Sequence, residues 1–249
     1  MSGTRDAIMP AKAMVLAAGL GERMRPLTAR LPKPLIEVRG RAMLDTILDR
    51  IQAAGIPDVV INLHYLGAKI EAHLKTRATP RIRFTHEAAR LETGGGVRNA
   101  LPLLGDDPFF VINGDVSWLD GYVPALERLA RTWDDARMDA LLLVQSTTAA
   151  VGYDGHGDFV LRADGHLRRR REREVAPFVF AGLQILHPRL FAGTSDGAFS
   201  LNRLYDKAEE DGRLWGLRHD GLWFHIGTPE QLAEVEAALD PLKPDMALM

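Results

Sequence analysis

Short apolar runs alternate with amphipathic segments along the first half of the chain, and this alternation limits the fold more than any other feature. Segment 42–54 places Met43, Ile47 and Ile51 on one helical face, and Gly55 supplies a stop. The alternation predicts an α/β fold, a Rossmann-like, mixed and mostly parallel sheet with helices on both faces. The expected strands lie near residues 14–18, 58–63, 81–86, 108–115 and 140–145, and further helices near 67–75, 97–104 and 123–133.

After about residue 121 the pattern changes. Segments 157–161 and 177–186 resemble added strands, some of them antiparallel, around a charged hairpin-like stretch. Helices are expected near residues 199–212 and 230–240. No linker or repeat interrupts the chain, so we expect a single domain over residues 1–249. Its first half spans about 12–120 and its second half about 121–249.

Composition narrows the class of protein. The 249 residues are 46% hydrophobic, carry a formal net charge of −2 and include no cysteine. A large core is therefore available, and disulfides, thiolate catalysis and cysteine-ligated zinc are excluded. No basic field indicates nucleic acid, no apolar run reaches the ~20 residues of a membrane helix, and the N-terminal segment lacks the apolar core of a secretory signal. We expect a cytoplasmic protein that binds neither nucleic acid nor membrane; the oligomeric state stays open.

A glycine-rich turn follows the first expected strand. Gly19 and Gly21 are succeeded by Arg23 and Arg25, and in open parallel sheets ligands sit beyond the carboxyl ends of strands. Glycines let backbone N–H groups approach phosphate oxygens closely. The Walker pattern is absent, and the dinucleotide fingerprint fails at Met24. The turn therefore predicts a phosphate site of another kind, with a plain structural turn as the alternative.

Lys33 lies between Pro32 and Pro34, just downstream of this turn. Proline fixes its own φ and restricts the residue before it, so the lysine is held on a stiff loop. Pro-Lys-Pro also occurs in exposed linkers. The position of the motif favours a functional lysine.

The stretch LAAGLGERMRPLT followed by PKPL resembles the signature of the sugar-phosphate nucleotidyltransferases. The similarity extends through LETGGG, NGDV, GDFVL, FAGLQILHP and IGTPE, and so covers nearly the whole chain. Within this family the chain is most similar to the compact bacterial N-acetylmuramate α-1-phosphate uridylyltransferases of peptidoglycan recycling, with the mannose-1-phosphate guanylyltransferases next.

The resemblance implies that a sugar-1-phosphate attacks UTP, giving a UDP-sugar (here UDP-N-acetylmuramate) and pyrophosphate. It also implies that the half at about 12–120 binds the nucleotide and the half at about 121–249 binds the sugar phosphate. Two alternatives stay open: synthesis of GDP-mannose, and a non-catalytic sugar-nucleotide sensor. The resemblance further implies catalytic roles for Arg23, at the departing pyrophosphate, and for Lys33, at the α-phosphate. The implied nucleotide-binding residues are Leu16, Ala17, Ala18, Gly19, Gly21, Arg23, Glu87, Thr93 and Gly94.

The implied metal site holds Mg²⁺, or alternatively Mn²⁺. Asp115 follows an expected strand, although the preceding Asn-Gly pair could mark a hairpin turn. His225 occupies the place where the family commonly has a second acidic ligand, and Mg²⁺ prefers oxygen ligands. His225 could instead donate to a phosphate or to a metal-bound water, it could favour a softer ion, or the enzyme could be impaired; a buried structural histidine is the remaining alternative.

The base and sugar positions follow from the same resemblance. A carboxylate at Glu87 would accept the ring N–H of uracil or guanine, or else it is an exposed loop residue; Thr93 could be only a helix N-cap. The three glycines at 94–96 are expected to let the base and ribose lie against backbone. The arginine-rich run 168–173 could attract an anionic sugar phosphate, but a solvated hairpin is favoured. The implied sugar-binding residues are Asn113, Asp158, Gly182 and Asn202.

Overall fold

The computed structural model describes residues 9–240, so most of the N-terminal segment considered as a possible signal lies outside the described residues. Three short 3-10 turns, at Glu22–Met24, Leu27–Ala29 and Lys33–Leu35, shape the loop after the first strand. The α-helices are α1 (Met43–Ala53), α2 (Gly67–Leu74), α3 (Glu92–Leu104), α4 (Ala125–Thr132), α5 (Asn202–Glu210) and α6 (Pro229–Leu239). The strands are β1 (Lys12–Leu16), β2 (Glu37–Val38), β3 (Arg41–Ala42), β4 (Asp58–Leu63), β5 (Arg81–His86), β6 (Phe109–Asn113), β7 (Ser117–Leu119), β8 (Ala140–Ser146), β9 (Ala150–Val151), β10 (Phe159–Leu161), β11 (Leu167–Arg169), β12 (Phe178–Leu186), β13 (Leu214–Arg218) and β14 (Leu222–Phe224).

A nine-stranded mixed sheet forms the centre of the molecule. Its main path runs β11-β10-β12-β6-β1-β4-β5, and β8 and β13 extend from β12. The strands β6, β1, β4 and β5 are mutually parallel, whereas β12 is antiparallel to β6, β8 and β10. The predicted α/β class with a mainly parallel sheet is confirmed, as are the added antiparallel strands.

Alternating side chains of the strands point to opposite faces of the sheet, and both faces are covered by helices. On one face Val15 and Ile61 pack with residues of α1, α2 and α4, such as Ile47. On the other face Met14 and Val111 pack with residues of α3 and α5. Strands buried on both sides read as continuous apolar runs, which is why the sequence pattern identified them.

A smaller apolar cluster joins the two ends of the chain. Met24 and Ile36 from the loops after β1 pack with Phe224, Ile226 and Val235 of the closing segment. This contact holds the segment after β14 against the loop after β1. Within residues 9–240, no helix has the length and apolar character needed to cross a membrane.

Helix α3 is longer than the sequence predicts. We expected helix from about residue 97, but it begins at Glu92 and includes the three glycines 94–96. Glycine disfavours helix interiors, which hid the start of the helix in the sequence. Close packing around these glycines, described below, offsets that preference.

Candidate active site

A cavity of about 670 Å³ opens beyond the carboxyl ends of the parallel strands. Of the predicted nucleotide-binding residues, all but Gly94 line it, together with Lys33, Asn113 and Asp115. The strand order β6-β1-β4-β5 explains this convergence, since each loop follows a strand that ends at the same edge. The lining residues are Leu16, Ala17, Ala18, Gly19, Leu20, Gly21, Glu22, Arg23, Met24, Lys33, Pro34, Asn62, Glu87, Arg90, Glu92, Thr93, Asn113, Asp115, Ser200 and Gly227.

Lys33 and Asp115, 82 positions apart in the chain, form an ion pair in this cavity. The Lys33 Nζ lies 2.5 Å from Asp115 Oδ2, and the lysine side chain is 12% exposed whereas that of the aspartate is 40% exposed. The second oxygen of Asp115, Oδ1, forms no hydrogen bond within residues 9–240. Asp115 therefore presents one free carboxylate oxygen to the cavity. The turn at Gly114 and Asp115 is not a hairpin turn, because β7 pairs with β14 and not with β6.

Gly114, in the Asn-Gly pair before Asp115, allows the chain to pack closely against the end of β1. A Cβ placed on Gly114 would lie 2.7 Å from the carbonyl oxygen of Leu16, and the Gly114 N–H donates to that oxygen at 2.9 Å. β6 and β1 thus continue their pairing past the ends of the strands. This pairing fixes Asp115 relative to the glycine turn.

Close packing and hydrogen bonds fix the conformation of the glycine turn. Gly21 adopts φ +63, which suits glycine, and a Cβ there would lie 2.9 Å from the methyl group of Thr28. The buried Thr28 hydroxyl donates to the Gly21 carbonyl at 2.8 Å, and the Tyr65 hydroxyl donates to the Thr28 carbonyl at 3.1 Å. Arg23 and Arg25 form no ion pair within residues 9–240. The turn is therefore rigid and carries cations with no internal partner.

His225 approaches the same cations from the closing segment. Its Nε2 would lie 2.9 Å from a Cβ placed on Gly227, and the Arg23 Nη1 would lie 3.3 Å from that point. Burial lowers the pKa of the His225 imidazole, and Lys33 and Arg23 lower it further against the opposing effect of Asp115. The ring also packs edge-on against Tyr153, with centroids 5.7 Å apart. His225 therefore lies beside Arg23 with its pKa lowered, although it is not among the residues that line the cavity.

Glu87 is held in place by two internal hydrogen bonds. Its Oε1 accepts from Asn62 Nδ2 at 2.7 Å, and its Oε2 accepts from the Leu91 N–H at 2.9 Å. The residue is only 6% exposed, so the alternative of an exposed loop glutamate is wrong. Glu87 still lines the cavity, and each carboxylate oxygen keeps capacity for one more donor.

Asn62 is a site residue that sequence reasoning missed. It is 2% exposed, its Oδ1 accepts from the Ala17 N–H at 2.9 Å, and its Nδ2 donates to Glu87. This side chain links the glycine turn to the segment before α3. A polar residue in the otherwise apolar strand 58–63 was the available signal, because buried amides need partners.

The three glycines of α3 do not provide the flat surface for base and ribose that we expected. A Cβ on Gly94 would lie 2.4 Å from the Phe199 ring, and one on Gly95 would lie 2.3 Å from the Gly197 carbonyl oxygen. One on Gly96 would lie 2.8 Å from Asn62 Nδ2. The glycines are buried, and they let segment 197–199 and the Asn62–Glu87 pair approach the helix.

Thr93 is not the N-cap of α3. The helix begins at Glu92 without a side-chain cap, and the Thr93 hydroxyl accepts from the Leu201 N–H at 3.0 Å. The N-cap alternative is therefore wrong, because the hydroxyl joins α3 to the start of α5. Thr93 also lines the cavity.

The predicted sugar-binding residues are spread more widely. Asn113 lines the cavity, and Gly182 adjoins it, since a Cβ there would lie 3.3 Å from the Asn113 side chain. Asp158 accepts from the Phe180 N–H at 2.9 Å, and Asn202 begins α5 at the surface. Neither Asp158 nor Asn202 lines the cavity, whereas Ser200 does.

The arginine-rich run is structural. Arg168 pairs with Glu174, Arg169 pairs with Asp206, and Arg170 donates to the Gly157 carbonyl at 2.9 Å. β10 and β11 form an antiparallel hairpin here. The favoured hairpin interpretation agrees with these contacts.

Comparison with known proteins points in one direction. The sequence model of the family described as "Nucleotidyl transferase" matches residues 12–153. The chain is 45% identical to the N-acetylmuramate alpha-1-phosphate uridylyltransferase of Caulobacter vibrioides, over 92% of this chain and 97% of that protein. It is 36% identical to the protein of the same name from Neisseria meningitidis serogroup B, over 91% and 97%. A mannose-1-phosphate guanyltransferase of Aspergillus fumigatus is 28% identical, over 88% of this chain but 61% of that protein.

Solved structures share the fold. A putative glucose-1-phosphate thymidylyltransferase from Bacillus anthracis superposes with a TM-score of 0.77 at 18% identity, covering 91% of this chain and 94% of the other. A UDP-glucose pyrophosphorylase in complex with UDP-glucose superposes with a TM-score of 0.75 at 16% identity, covering 93% and 99%. At such identities the likeness concerns the fold alone.

Proposed function

The chain belongs to the nucleotidyl transferase family, and from this premise we propose that it joins N-acetylmuramic acid α-1-phosphate to UTP. The products would be UDP-N-acetylmuramate and pyrophosphate. The observation that carries the proposal is the convergence of the glycine turn, Lys33 and Asp115 on one cavity. The names of two relatives that are 45% and 36% identical to this chain support the choice of UTP and of the acceptor.

The reaction is a single displacement at phosphorus. A phosphate oxygen of the sugar-1-phosphate forms a bond to the α-phosphorus of UTP, and the bond from that phosphorus to the oxygen bridging to the β-phosphate breaks. Pyrophosphate leaves with the electron pair. No residue forms a covalent intermediate, so the protein contributes alignment and charge neutralisation.

Charge is the main obstacle, because two polyanions must meet. A pair of like charges 4 Å apart costs about 1 kcal/mol in water and about 4 kcal/mol at an effective dielectric of 20. Lys33 is placed to offset charge that builds at the α-phosphate. Arg23, which has no internal ion pair within residues 9–240, is suited to hold the departing pyrophosphate through a bidentate guanidinium.

The residues present fit a hard divalent cation. Asp115 offers a free oxygen, Oδ1, on a side chain that is 40% exposed, and substrate phosphates normally complete the coordination of Mg²⁺. Within residues 9–240 there is no cluster of three acidic, histidine or cysteine side chains that could hold a metal by itself, in keeping with a cation held jointly with the nucleotide. Mg²⁺, or alternatively Mn²⁺, would then supply further neutralisation of the phosphates.

His225 fits the role of a hydrogen-bond donor better than that of a metal ligand. Its surroundings lower its pKa, and a neutral imidazole can donate from one nitrogen to a phosphate oxygen or to a water. Mg²⁺ prefers oxygen ligands. We propose that His225 assists phosphate binding, and that the enzyme acts in cytoplasmic recycling of the cell wall.

Pyrophosphate release from the purified protein tests the proposal. UTP and GTP are each combined with N-acetylmuramic acid α-1-phosphate, N-acetylglucosamine-1-phosphate, glucose-1-phosphate and mannose-1-phosphate, with Mg²⁺. We expect the highest kcat/KM for UTP with the muramic acid phosphate. Preference for GTP with mannose-1-phosphate would identify the alternative synthesis of GDP-mannose. Tight binding of a nucleotide sugar without turnover of any pair would identify a sensor.

A further inference from the structure

Two glutamates from one short segment face the cavity, but only one is committed to internal contacts. Glu87 is buried, and both of its oxygens accept hydrogen bonds from Asn62 and from the Leu91 N–H. Glu92 is exposed, lines the same cavity and forms no hydrogen bond or ion pair within residues 9–240. The carboxylate of Glu92 therefore keeps its full hydrogen-bonding capacity for a ligand, whereas that of Glu87 keeps only part of its own.

Glu92 also has an unusual backbone conformation. Its φ is +59, in the left-handed region that residues with a side chain seldom adopt and glycine adopts readily. Residues kept in such conformations concentrate at binding and catalytic sites. The folded protein is thus less stable with glutamate at this position than it would be with glycine, which indicates that the side chain has a functional role.

The surrounding hydrogen bonds impose this conformation. On one side Leu91 is fixed by its N–H to Glu87 Oε2 at 2.9 Å and by its carbonyl, which accepts from the Phe199 N–H at 3.1 Å. On the other side the Gly94 N–H donates to the Phe199 carbonyl at 2.8 Å. Glu92 lies between these fixed points, so its side chain is presented to the cavity from a rigid backbone.

The strand order indicates which end of a nucleotide reaches Glu92. Asp115 follows β6, the glycine turn follows β1, and Glu92 lies in the loop and helix that follow β5. The helix that Glu92 begins packs mainly on β1 and β4, and a Cβ on Gly96 would lie 2.8 Å from Asn62 Nδ2 near the carboxyl end of β4. β4 lies two strand spacings, about 10 Å, from β6. The phosphates belong at the cationic β1 and β6 end, and a carboxylate would repel them. Glu92 therefore faces the neutral nucleoside.

We propose that Glu92 is a specificity-determining residue that accepts a hydrogen bond from the nucleoside end of the nucleotide, from a base N–H or a ribose hydroxyl. The inference depends on the proposed function. A carboxylate in the first turn of a helix also interacts favourably with the helix dipole, but that role affects the melting temperature and not the affinity for UTP.

The first test is Glu92→Gln, which keeps the shape and the backbone conformation but removes the charge. We expect the KM for UTP to rise about tenfold with kcat changed less than about twofold, because a hydrogen bond to a charged acceptor is weakened in both the ground and transition states. Direct titration of UTP into the protein by calorimetry should show the same loss. An unchanged KM and an unchanged dissociation constant would overturn the proposal.

The second test is Glu92→Gly, which removes the side chain and the backbone strain together. It should melt about 2–4 °C above Glu92→Gln, since only glycine relieves the positive φ, yet bind UTP at least as weakly. Arg173→Gly is the matched control: Arg173 has φ +62 and is exposed on the hairpin outside the cavity. This control should gain stability without any change in KM. A gain in stability at position 92 with wild-type KM would mean that the side chain has no role in binding.

Substrate analogues separate the two possible donors. If a ribose hydroxyl is the donor, wild type should prefer UTP over 2′- or 3′-deoxy-UTP and Glu92→Gln should lose that preference. If the base N–H is the donor, wild type should prefer UTP over N3-methyl-UTP, and Glu92→Gln should lose that preference. Loss of neither preference would contradict the inference. Failure of the proposed function is distinguishable, because then wild type itself would show no pyrophosphate release from UTP.

Discussion

The two halves of the molecule contribute to the cavity in different ways. Residues 9–120 supply four parallel strands whose loops meet at one edge, and the residues predicted there for the nucleotide, apart from Gly94, line the cavity. Residues 121–240 supply Ser200 and Gly227 to the lining, while Asp158, Gly182, Asn202 and His225 lie beside or beyond it. Because parallel strands end at the same edge of the sheet, short motifs that directly follow them come together in one site. The loops of the added antiparallel strands are positioned by contacts between segments that are distant in the sequence.

The largest effect should follow the removal of the Asp115 carboxylate. Asp115→Asn keeps the size of the side chain but removes the charge that pairs with Lys33 and that would hold a cation. We expect kcat for pyrophosphate release to fall by about a thousandfold or more, with little change in melting temperature. Asp107→Asn, at an exposed position near the other end of β6, should change neither. Substantial activity in Asp115→Asn would show that the Asp115 carboxylate is not needed for the reaction.

The next largest effect tests the buried hydrogen bonds that Asn62 forms within residues 9–120. Asn62→Ala would leave the Ala17 N–H and Glu87 Oε1 without their buried partner. We expect a loss of about 2 kcal/mol in the free energy of unfolding and a rise of about tenfold in the KM for UTP. Urea unfolding and steady-state kinetics measure the two effects. Asn99→Ala, on the exposed face of α3, is the control. If Asn62→Ala lowers the stability but leaves the KM for UTP unaltered, Asn62 has only a structural role.

A third change tests a structural ion-pair cluster in residues 121–240. Asp139 accepts from Arg189 Nε at 2.6 Å and from Arg213 Nε at 2.8 Å, which ties β8 to the turn after β12 and to β13. Asp139→Asn should cost about 2 kcal/mol of stability and leave kcat/KM within about twofold. Asp211→Asn, exposed at the end of α5, should cost less than about 0.5 kcal/mol. A large loss of activity in folded Asp139→Asn would contradict a purely structural role.

The same residue predicts a pH dependence. Burial acts to raise the pKa of Asp139, but hydrogen bonds from Arg189 and Arg213 outweigh it and hold the pKa below its ordinary value of 3.8. A carboxyl whose pKa is lowered on folding stabilises the protein above that ordinary value and loses this contribution as the pH falls through the folded pKa. The stability difference between wild type and Asp139→Asn should therefore be constant near pH 5–7 and shrink below about pH 4. A difference that grew on acidification would be inconsistent with this pairing.

The smallest effect is expected at His225, where residues 121–240 approach Arg23 of the glycine turn. His225→Asp should preserve the Mg²⁺-dependent rate or raise it by up to about threefold, because an added carboxylate oxygen suits Mg²⁺. Rates measured with Mg²⁺ and with Mn²⁺ would reveal any change of preference. Abolished turnover with intact folding would mean that the imidazole has a task that a carboxylate cannot replace.

The contrast between the halves also explains what could be predicted from sequence. The strand Asp58–Leu63 and the helix Met43–Ala53 were recognised because apolar periodicity and glycine stops are local signals. Lys33 and Asp115 were each predicted as site residues from motifs that follow the neighbouring strands β1 and β6, whereas the ion pair between them was not predicted.

The rest depended on contacts between distant segments. The partners of Gly94 and Gly95 lie about a hundred residues later, at Phe199 and Gly197, so the glycines could be read as a nucleotide surface. The role of Asn62 required knowing that Ala17 and Glu87 flank it. The strain at Glu92 is a backbone property that the residue type conceals, since glutamate rarely adopts positive φ.

The position of β12 has a consequence for any attempt to dissect the chain. β12 belongs to the later half by sequence, yet it pairs with β6 through Leu183–Leu186 and with β8 on its other side. A fragment that ended near residue 120 would keep the pairing of β6 with β1 but would leave the β6 backbone groups that face β12 unpaired, beside the apolar Phe109 and Val111. Such an open edge recruits strands from other chains. Truncation there is therefore expected to give aggregates, and co-expression with the missing piece should restore a soluble protein.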